Sequence, residues 1–215
     1  MKSLIITGGS VEISFAAAFL KATDYDIIIA ADKGIETLSA LKIRPDYIVG
    51  DFDSANDNIL DSYSDDKRVT IIRHSPIKDA TDTELAIDIA LKEAADRIDI
   101  LGATGGRIDH LFGNIHCMYK ALVRGAVCVI WDKNNRIELV DKPFVIEKDK
   151  MSGRFVSFVP FMSDVKGLCL KGFKYNLENF TLKGGASLGI SNEVVEDRAC
   201  VEFKSGVMIY FQTRD

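Results

Sequence analysis

Through about residue 132, short apolar runs alternate with longer stretches in which apolar residues recur every three or four positions. The runs lie over 4–7, 27–31, 47–49, 69–73, 98–101 and 127–131, and the helical period is clearest over 83–95 and 110–123. Strands alternating with amphipathic helices predict an α/β fold, a mainly parallel sheet with helices on both faces. Such sheets bind ligands at the carboxyl ends of their strands.

Beyond the turn signal Asn134-Asn135 the pattern becomes a succession of short strand-like runs, over 136–140, 155–160, 165–170, 199–203 and 207–212. Glycines punctuate them and no helix of useful length shows, which predicts an all-β sandwich. The expected organisation is an α/β domain over 1–133 and a β-sandwich over 134–215. A sandwich of about 80 residues is small for a stand-alone domain, so it is expected to pack against the first domain or a second subunit.

Composition narrows the function classes. Of 215 residues, 47% are hydrophobic and 27% charged, the balance of an ordinary globular protein with a sizeable core. A net charge of −5, from 27 basic and 32 acidic residues, argues against a nucleic-acid partner, whose backbone calls for a basic face. Cys117, Cys128, Cys169 and Cys200 form no CxxC pair and no long secretory apolar region follows Met1, so reduced thiols in the cytoplasm are expected. No apolar run reaches the ~18 residues a membrane span needs, so no membrane partner is expected either.

Three loops carry the candidate chemistry. Gly50-Asp51-Phe52-Asp53-Ser54 directly follows a strand, and two carboxylates spaced i, i+2 there can face one Mg²⁺. Alone this DxD is weak, since a polar turn gives the same pattern and glycosyltransferases also use it. Lys78-Asp79-Ala80-Thr81-Asp82-Thr83-Glu84 leads into a helix. Thr81 with Glu84 fits a capping box, but capping leaves Lys78, Asp79 and Asp82 unexplained, and these suit metal and phosphate. Gly102 to His110 again joins a strand to a helix, with Gly105 and Gly106 permitting close approach and Arg107 offering a planar clamp for phosphate. Asp109 here serves either to cap the helix or to act at the site. Thr7-Gly8-Gly9 and Asp32-Lys33-Gly34 add two more loops of the same kind. Five such loops along one sheet edge point to an active site for a metal-bound polyphosphate.

These residues resemble the thiamin pyrophosphokinase family. The likeness rests on Asp32 with Gly34, on Pro45 through Ser54, on Lys78-Asp79-Ala80-Thr81-Asp82 and on Gly105-Gly106-Arg107-Ile108-Asp109-His110, in order and at the right spacing. Gly189-Ile190-Ser191-Asn192-Glu193 looks like the family's thiamine-side loop. The resemblance implies a homodimer that converts ATP and thiamine to AMP and thiamine diphosphate with Mg²⁺. Lys33 departs from the small residue more usual in the family, and Trp131, the only tryptophan, precedes the β domain.

On this reading Asp51, Asp53, Asp79 and Asp82 are the expected Mg²⁺ ligands, and with Arg107 and Asp109 they form the catalytic set. Asp32, Gly34, Lys78, Thr81, Gly105, Gly106, Arg107 and His110 are expected on the ATP side. Ser191 and Asn192 are expected on the thiamine side, with Phe173 or Tyr175 to stack on the ring or to serve as core. Two rival readings are a nucleotide-sugar transferase using the DxD and a nucleotide-binding module without catalysis.

Overall fold

Six strands pair in parallel over the first part of the chain: β1 (Lys2–Ile6), β2 (Ile27–Ala31), β3 (Tyr47–Gly50), β4 (Thr70–Arg73), β5 (Arg97–Leu101) and β6 (Val127–Trp131). Their order is β4-β3-β2-β1-β5-β6. The chain therefore builds outward from β1 to β4, then crosses back to place β5 on the other side of β1. Neighbouring strand ends at such a reversal send their loops apart and leave a crevice between them. The structure is a computed structural model that describes residues 1–51, 57–73 and 80–215. It divides into two units, Met1–Lys133 and Asn134–Asp215.

Alternation along the strands explains the two covered faces. Leu4, Ile6, Ala30 and Ile48 share a core with Ala16 of α1 (Ile13–Ala22), Ile35 and Leu38 of α2 (Gly34–Leu41) and Leu60 of α3 (Asp57–Asp61). The intervening residues Ile5, Ile29 and Ile100 are equally buried and point the other way. On that side α4 (Asp82–Lys92) packs on β1, β2 and β3 and against α5 (Ile108–Val123).

In the second unit every named strand pairing is antiparallel. β13 (Ser205–Thr213) pairs with β7 (Asn135–Val140) and with the first half of β9 (Phe155–Lys171), beside which lies β11 (Asn192–Glu193). The second half of β9 pairs with β10 (Leu177–Leu182) and with β12 (Arg198–Glu202), which in turn pairs with β8 (Phe144–Glu147). The expected runs 155–160 and 165–170 are thus one strand serving both sheets. It turns at Met162, whose φ is +62°. Inside, Phe158 stacks on Tyr210 at 5.8 Å and meets Phe173 edge-on at 5.9 Å. The strands β8, β10 and β11 lie beyond those the sequence pattern marks.

Candidate active site

The loops at the carboxyl ends of β1, β2 and β5 and the N-termini of α4 and α5 enclose a cavity of about 480 Å³ in the first unit. It lies where the strand order reverses, as the topology requires. Thr7, Gly8 and Gly9 enter it from β1, Asp32 and Lys33 from β2, Thr81 to Thr83 from α4, and Gly102 through Asn114 from the β5–α5 connection at intervals.

Backbone interlock fixes these loops. The Thr7 amide donates to the Leu101 carbonyl and the Gly9 amide to the Gly102 carbonyl, both at 2.9 Å. The Thr7 hydroxyl also donates to the Gly102 carbonyl, and the buried Asn114 amide donates to the Ala103 carbonyl at 3.1 Å. Thr104 donates its hydroxyl to Asp132, just past β6, at 2.7 Å. A Cβ on Gly9 would lie 2.1 Å from the Gly102 carbonyl oxygen, so glycine is obligatory there. Gly34 is fixed by packing in the same way, because its Cβ would sit 1.8 Å from the Ile6 carbonyl oxygen, and this alone accounts for its identity. By contrast, a Cβ on Gly106 would meet nothing within 4 Å. Among the described residues, packing therefore does not account for that glycine.

Among the described residues, the titratable side chains lining the cavity are those of Asp32, Asp82, Asp109, Lys33, Arg107 and His110. Asp32 adopts φ +52°, a left-handed conformation aspartate tolerates better than most residues, and its amide donates to the Val49 carbonyl. Arg107 and Asp109 form a two-point pair, with Nε donating to Oδ1 at 3.1 Å and the terminal nitrogen to Oδ2. The hydrogen bond and charge of Arg107 hold the Asp109 carboxyl below its ordinary range, and Asp109 raises Arg107 in turn. Asp109 also accepts from the His110 amide. Asp109 is thus not the cap of α5, whose N-cap is Arg107 without a side-chain cap hydrogen bond; it stands in the first turn and braces the Arg107 guanidinium.

Thr81 is the N-cap of α4, its hydroxyl accepting from the Glu84 amide at 3.2 Å. Glu84 does not reach back to complete the box; its carboxylate pairs with Lys120 of α5 at 2.8 Å. The cap alone is expected to matter by about 1 kcal/mol, so Thr81→Ala should lower Tm by about 2–4 °C in a thermal melt. A Tm within 0.5 °C of wild type would remove the capping role.

Of the carboxylates expected to hold metal, Asp51 and Asp82 are described, while Asp53 and Asp79, and Lys78 beside them, lie outside the described residues. Asp51 and Asp32 leave the sheet two residues and one residue beyond the register partners Val49 and Ala31. Among the described residues no cluster of three metal-ligating side chains occurs. One or two carboxylates with water and phosphate oxygens are the ordinary donor set for Mg²⁺, so Asp51 and Asp82 are chemically suited to it.

In the second unit, Asn192 is buried and turned inward. Its oxygen accepts from the Tyr175 and Glu193 amides and its nitrogen donates to the Tyr175 carbonyl. Ser191 is exposed, with φ +58° and its amide donating to the Ser157 hydroxyl at 2.9 Å. Phe173 is core at 2% exposure, whereas Tyr175 is 61% exposed. Of the two aromatics only Tyr175 offers a ring surface to a ligand. Sequence reasoning passed over Asp132, Asn114 and Gly113, each polar or glycine at a strand end or helix turn lining or bracing the same loops. A pattern signal existed only for Asn114 and Gly113, which interrupt the apolar side of α5.

Comparison with known proteins gives a family for both units. The family described as thiamin pyrophosphokinase, catalytic domain, matches residues 20–130, and the thiamin pyrophosphokinase, vitamin B1 binding domain, matches residues 144–208. Thiamine pyrophosphokinase of Bacillus subtilis is 36% identical over 200 residues, 89% of each chain. A crystal structure of thiamine pyrophosphokinase from Bacillus subtilis superposes with a TM-score of 0.88 at 34% identity, covering 100% of both chains. One of thiamin pyrophosphokinase from Geobacillus thermodenitrificans gives 0.85 at 29% identity, covering 100% of this chain and 98% of that one.

Proposed function

The chain belongs to the thiamin pyrophosphokinase family, and from that premise we propose how its residues move a pyrophosphoryl group from ATP to the hydroxyl of thiamine. The observation that carries the proposal is the cavity at the strand reversal, where an open glycine loop, a helix N-terminus and Arg107 converge beside carboxylates. The thiamine hydroxyl oxygen attacks the β-phosphorus of ATP, the bond from that phosphorus to the α–β bridging oxygen breaks, and AMP leaves. The hydroxyl proton passes to a carboxylate of the site.

Within the proposal, Gly105, Gly106, the start of α5 and Arg107 receive phosphate oxygens, with Thr81, His110 and Asp32 around them and Lys78 as a further cation. Asp51, Asp53, Asp79 and Asp82 hold Mg²⁺, which when bound offsets charge on the non-bridging oxygens. Most of the acceleration then comes from positioning and preset electrostatics. The second unit takes the vitamin side, with the exposed Ser191 and Tyr175 the groups best disposed to meet it. We assign the chain to the cytoplasm as a homodimer; among the described residues no helix is long and apolar enough to cross a membrane.

The family match across both units sets aside the nucleotide-sugar transferase and the non-catalytic module. The direct test is incubation of the purified protein with ATP, Mg²⁺ and thiamine, with chromatography of the products. Thiamine diphosphate and AMP in equal amounts are expected, and EDTA should abolish both. ADP or free pyrophosphate as the principal product would overturn the proposed transfer.

A further inference from the structure

We propose that Gly113 reserves the space occupied by the nucleoside part of ATP, its bare backbone forming one wall of the nucleotide subsite. The inference rests on the reading of the chain as an ATP-dependent pyrophosphokinase.

Gly113 lies inside the 16-residue helix α5, where glycine weakens the helix relative to alanine. The usual structural reasons for a glycine are missing. Its φ is not positive, and among the described residues a Cβ added there would meet nothing within 4 Å. Gly9, Gly34 and Gly102 differ in kind, since their Cβ atoms would come within 2.1, 1.8 and 2.5 Å of carbonyl oxygens. What remains is that Gly113 lines the cavity, as do Asp109 and His110 one turn earlier.

The helix geometry says why the wall is open at this level. One and two turns further along the same side of α5 come Cys117 and Lys120, and Lys120 bridges to Glu84 and Asp88 of α4. α4 begins only at Asp82. The stripe that α4 covers at Lys120 therefore looks into the cavity at Gly113.

The chemistry of that wall selects the part of the ligand. Within a helix the Gly113 amide donates to the carbonyl four residues back, so the surface presents no hydrogen-bond donor. Arg107, the N-cap six residues earlier, lies about 9 Å back along the axis at ~1.5 Å per residue, and with the glycine loop before it takes the anionic end of the nucleotide. A neutral ring or sugar packing flat on exposed backbone gains dispersion contact that any side chain would prevent.

Two variants test this. Gly113→Ala should raise Tm by about 2 °C, because helix propensity improves and no contact is lost. The same change should raise KM for ATP, and Kd for a non-hydrolysable ATP analogue with Mg²⁺, by about 5-fold, and Gly113→Leu by about 50-fold, as overpacking predicts. KM for thiamine should stay within about twofold. An unchanged analogue Kd in the alanine variant, or a rise confined to the thiamine KM, would overturn the proposal, and the alanine variant decides the matter if leucine prevents folding. An equal loss of affinity for inorganic tripolyphosphate and for the analogue would overturn it too, since tripolyphosphate has no nucleoside. If the wild type made no thiamine diphosphate, the pyrophosphokinase reading would fail, while the analogue titrations would still decide the role of Gly113.

Discussion

Replacing Arg107 by alanine is expected to lower kcat/KM for ATP by about 10³-fold while leaving Tm within about 1 °C of wild type. The first half follows from what a guanidinium does beside a transferring phosphoryl group, where loss of one preset cation removes about 10²–10⁵ in rate. The second half follows from exposure. Arg107 and Asp109 are 72% and 62% exposed, and an ion pair so open to water contributes little to folding. On the proposed function the pair serves the phosphate that Arg107 would meet, and it adds little to stability. Asp109 keeps the guanidinium turned and ionised, and its lowered pKa means that it stays charged through the ordinary carboxylate range as pH falls. Arg107→Lys should recover only a small part of the loss, because an ammonium cannot make the two parallel bonds of the planar fork. Steady-state kinetics with a thermal melt on the same preparations decide the matter. A tenfold or smaller effect on kcat/KM would place Arg107 outside the machinery, and a large fall in Tm would make it a structural residue.

How much of this was legible beforehand can be read residue by residue. The parallel strands announce themselves because both their faces are buried, which makes runs such as 27–31 continuously apolar. α4 and α5 show through polar outer positions and, for α4, through Thr81. α1 was harder to see, since ISFAAAFLKA is nearly all apolar and carries no side-chain cap. α2 begins at a glycine with no cap and ends on Lys42 in the left-handed conformation. In the second unit the break in pattern at 162–164 looks like a loop, but there β9 passes from one sheet to the other and exposes those residues without leaving strand.

At the site, the sequence marks candidate loops because glycine, aspartate and arginine recur together at strand ends, and the fold brings those after β1, β2 and β5 to one cavity. It does not reveal which residues the fold needs for itself. Gly34 and Gly106 read alike in the sequence, yet one is held by the Ile6 carbonyl and the other faces open space. Asn192 looks like a ligand donor in a loop, but its amide closes hydrogen bonds to Tyr175 and Glu193. Only coordinates separate a polar group facing the ligand from one consumed by backbone, because both satisfy the same rule that buried polar atoms find partners.

The largest stability effect is expected at a residue that does not line the cavity, Asp99 on β5. This carboxylate is 1% exposed and accepts four hydrogen bonds. Oδ2 takes the Tyr25 hydroxyl and Arg97 Nε, both at 3.0 Å, while Oδ1 takes the indole Nε1 of Trp131 and a terminal nitrogen of Arg97, both at 2.8 Å. Deleting it strands two neutral donors, which cost about 1–3 kcal/mol each when left unmade. Arg97 is 34% exposed and can turn partly to water, so it adds less than a buried cation would. The sum for Asp99→Ala is about 3–5 kcal/mol, the range for breaking a buried pair from one side, and a large share of a typical domain's stability. The melt of the first unit should fall by about 10 °C or more. Burial and the neighbouring Asp99 push the Tyr25 hydroxyl well above the ordinary tyrosine value. Tyr25 therefore remains a donor, and its contribution is complete below the unfolded value of about 10 and lost only as pH rises beyond it. Tyr25→Phe should flatten that alkaline loss and lower stability by about 1 kcal/mol at neutral pH. An Asp99→Ala protein melting within 2 °C of wild type would show that the network is incidental to the fold.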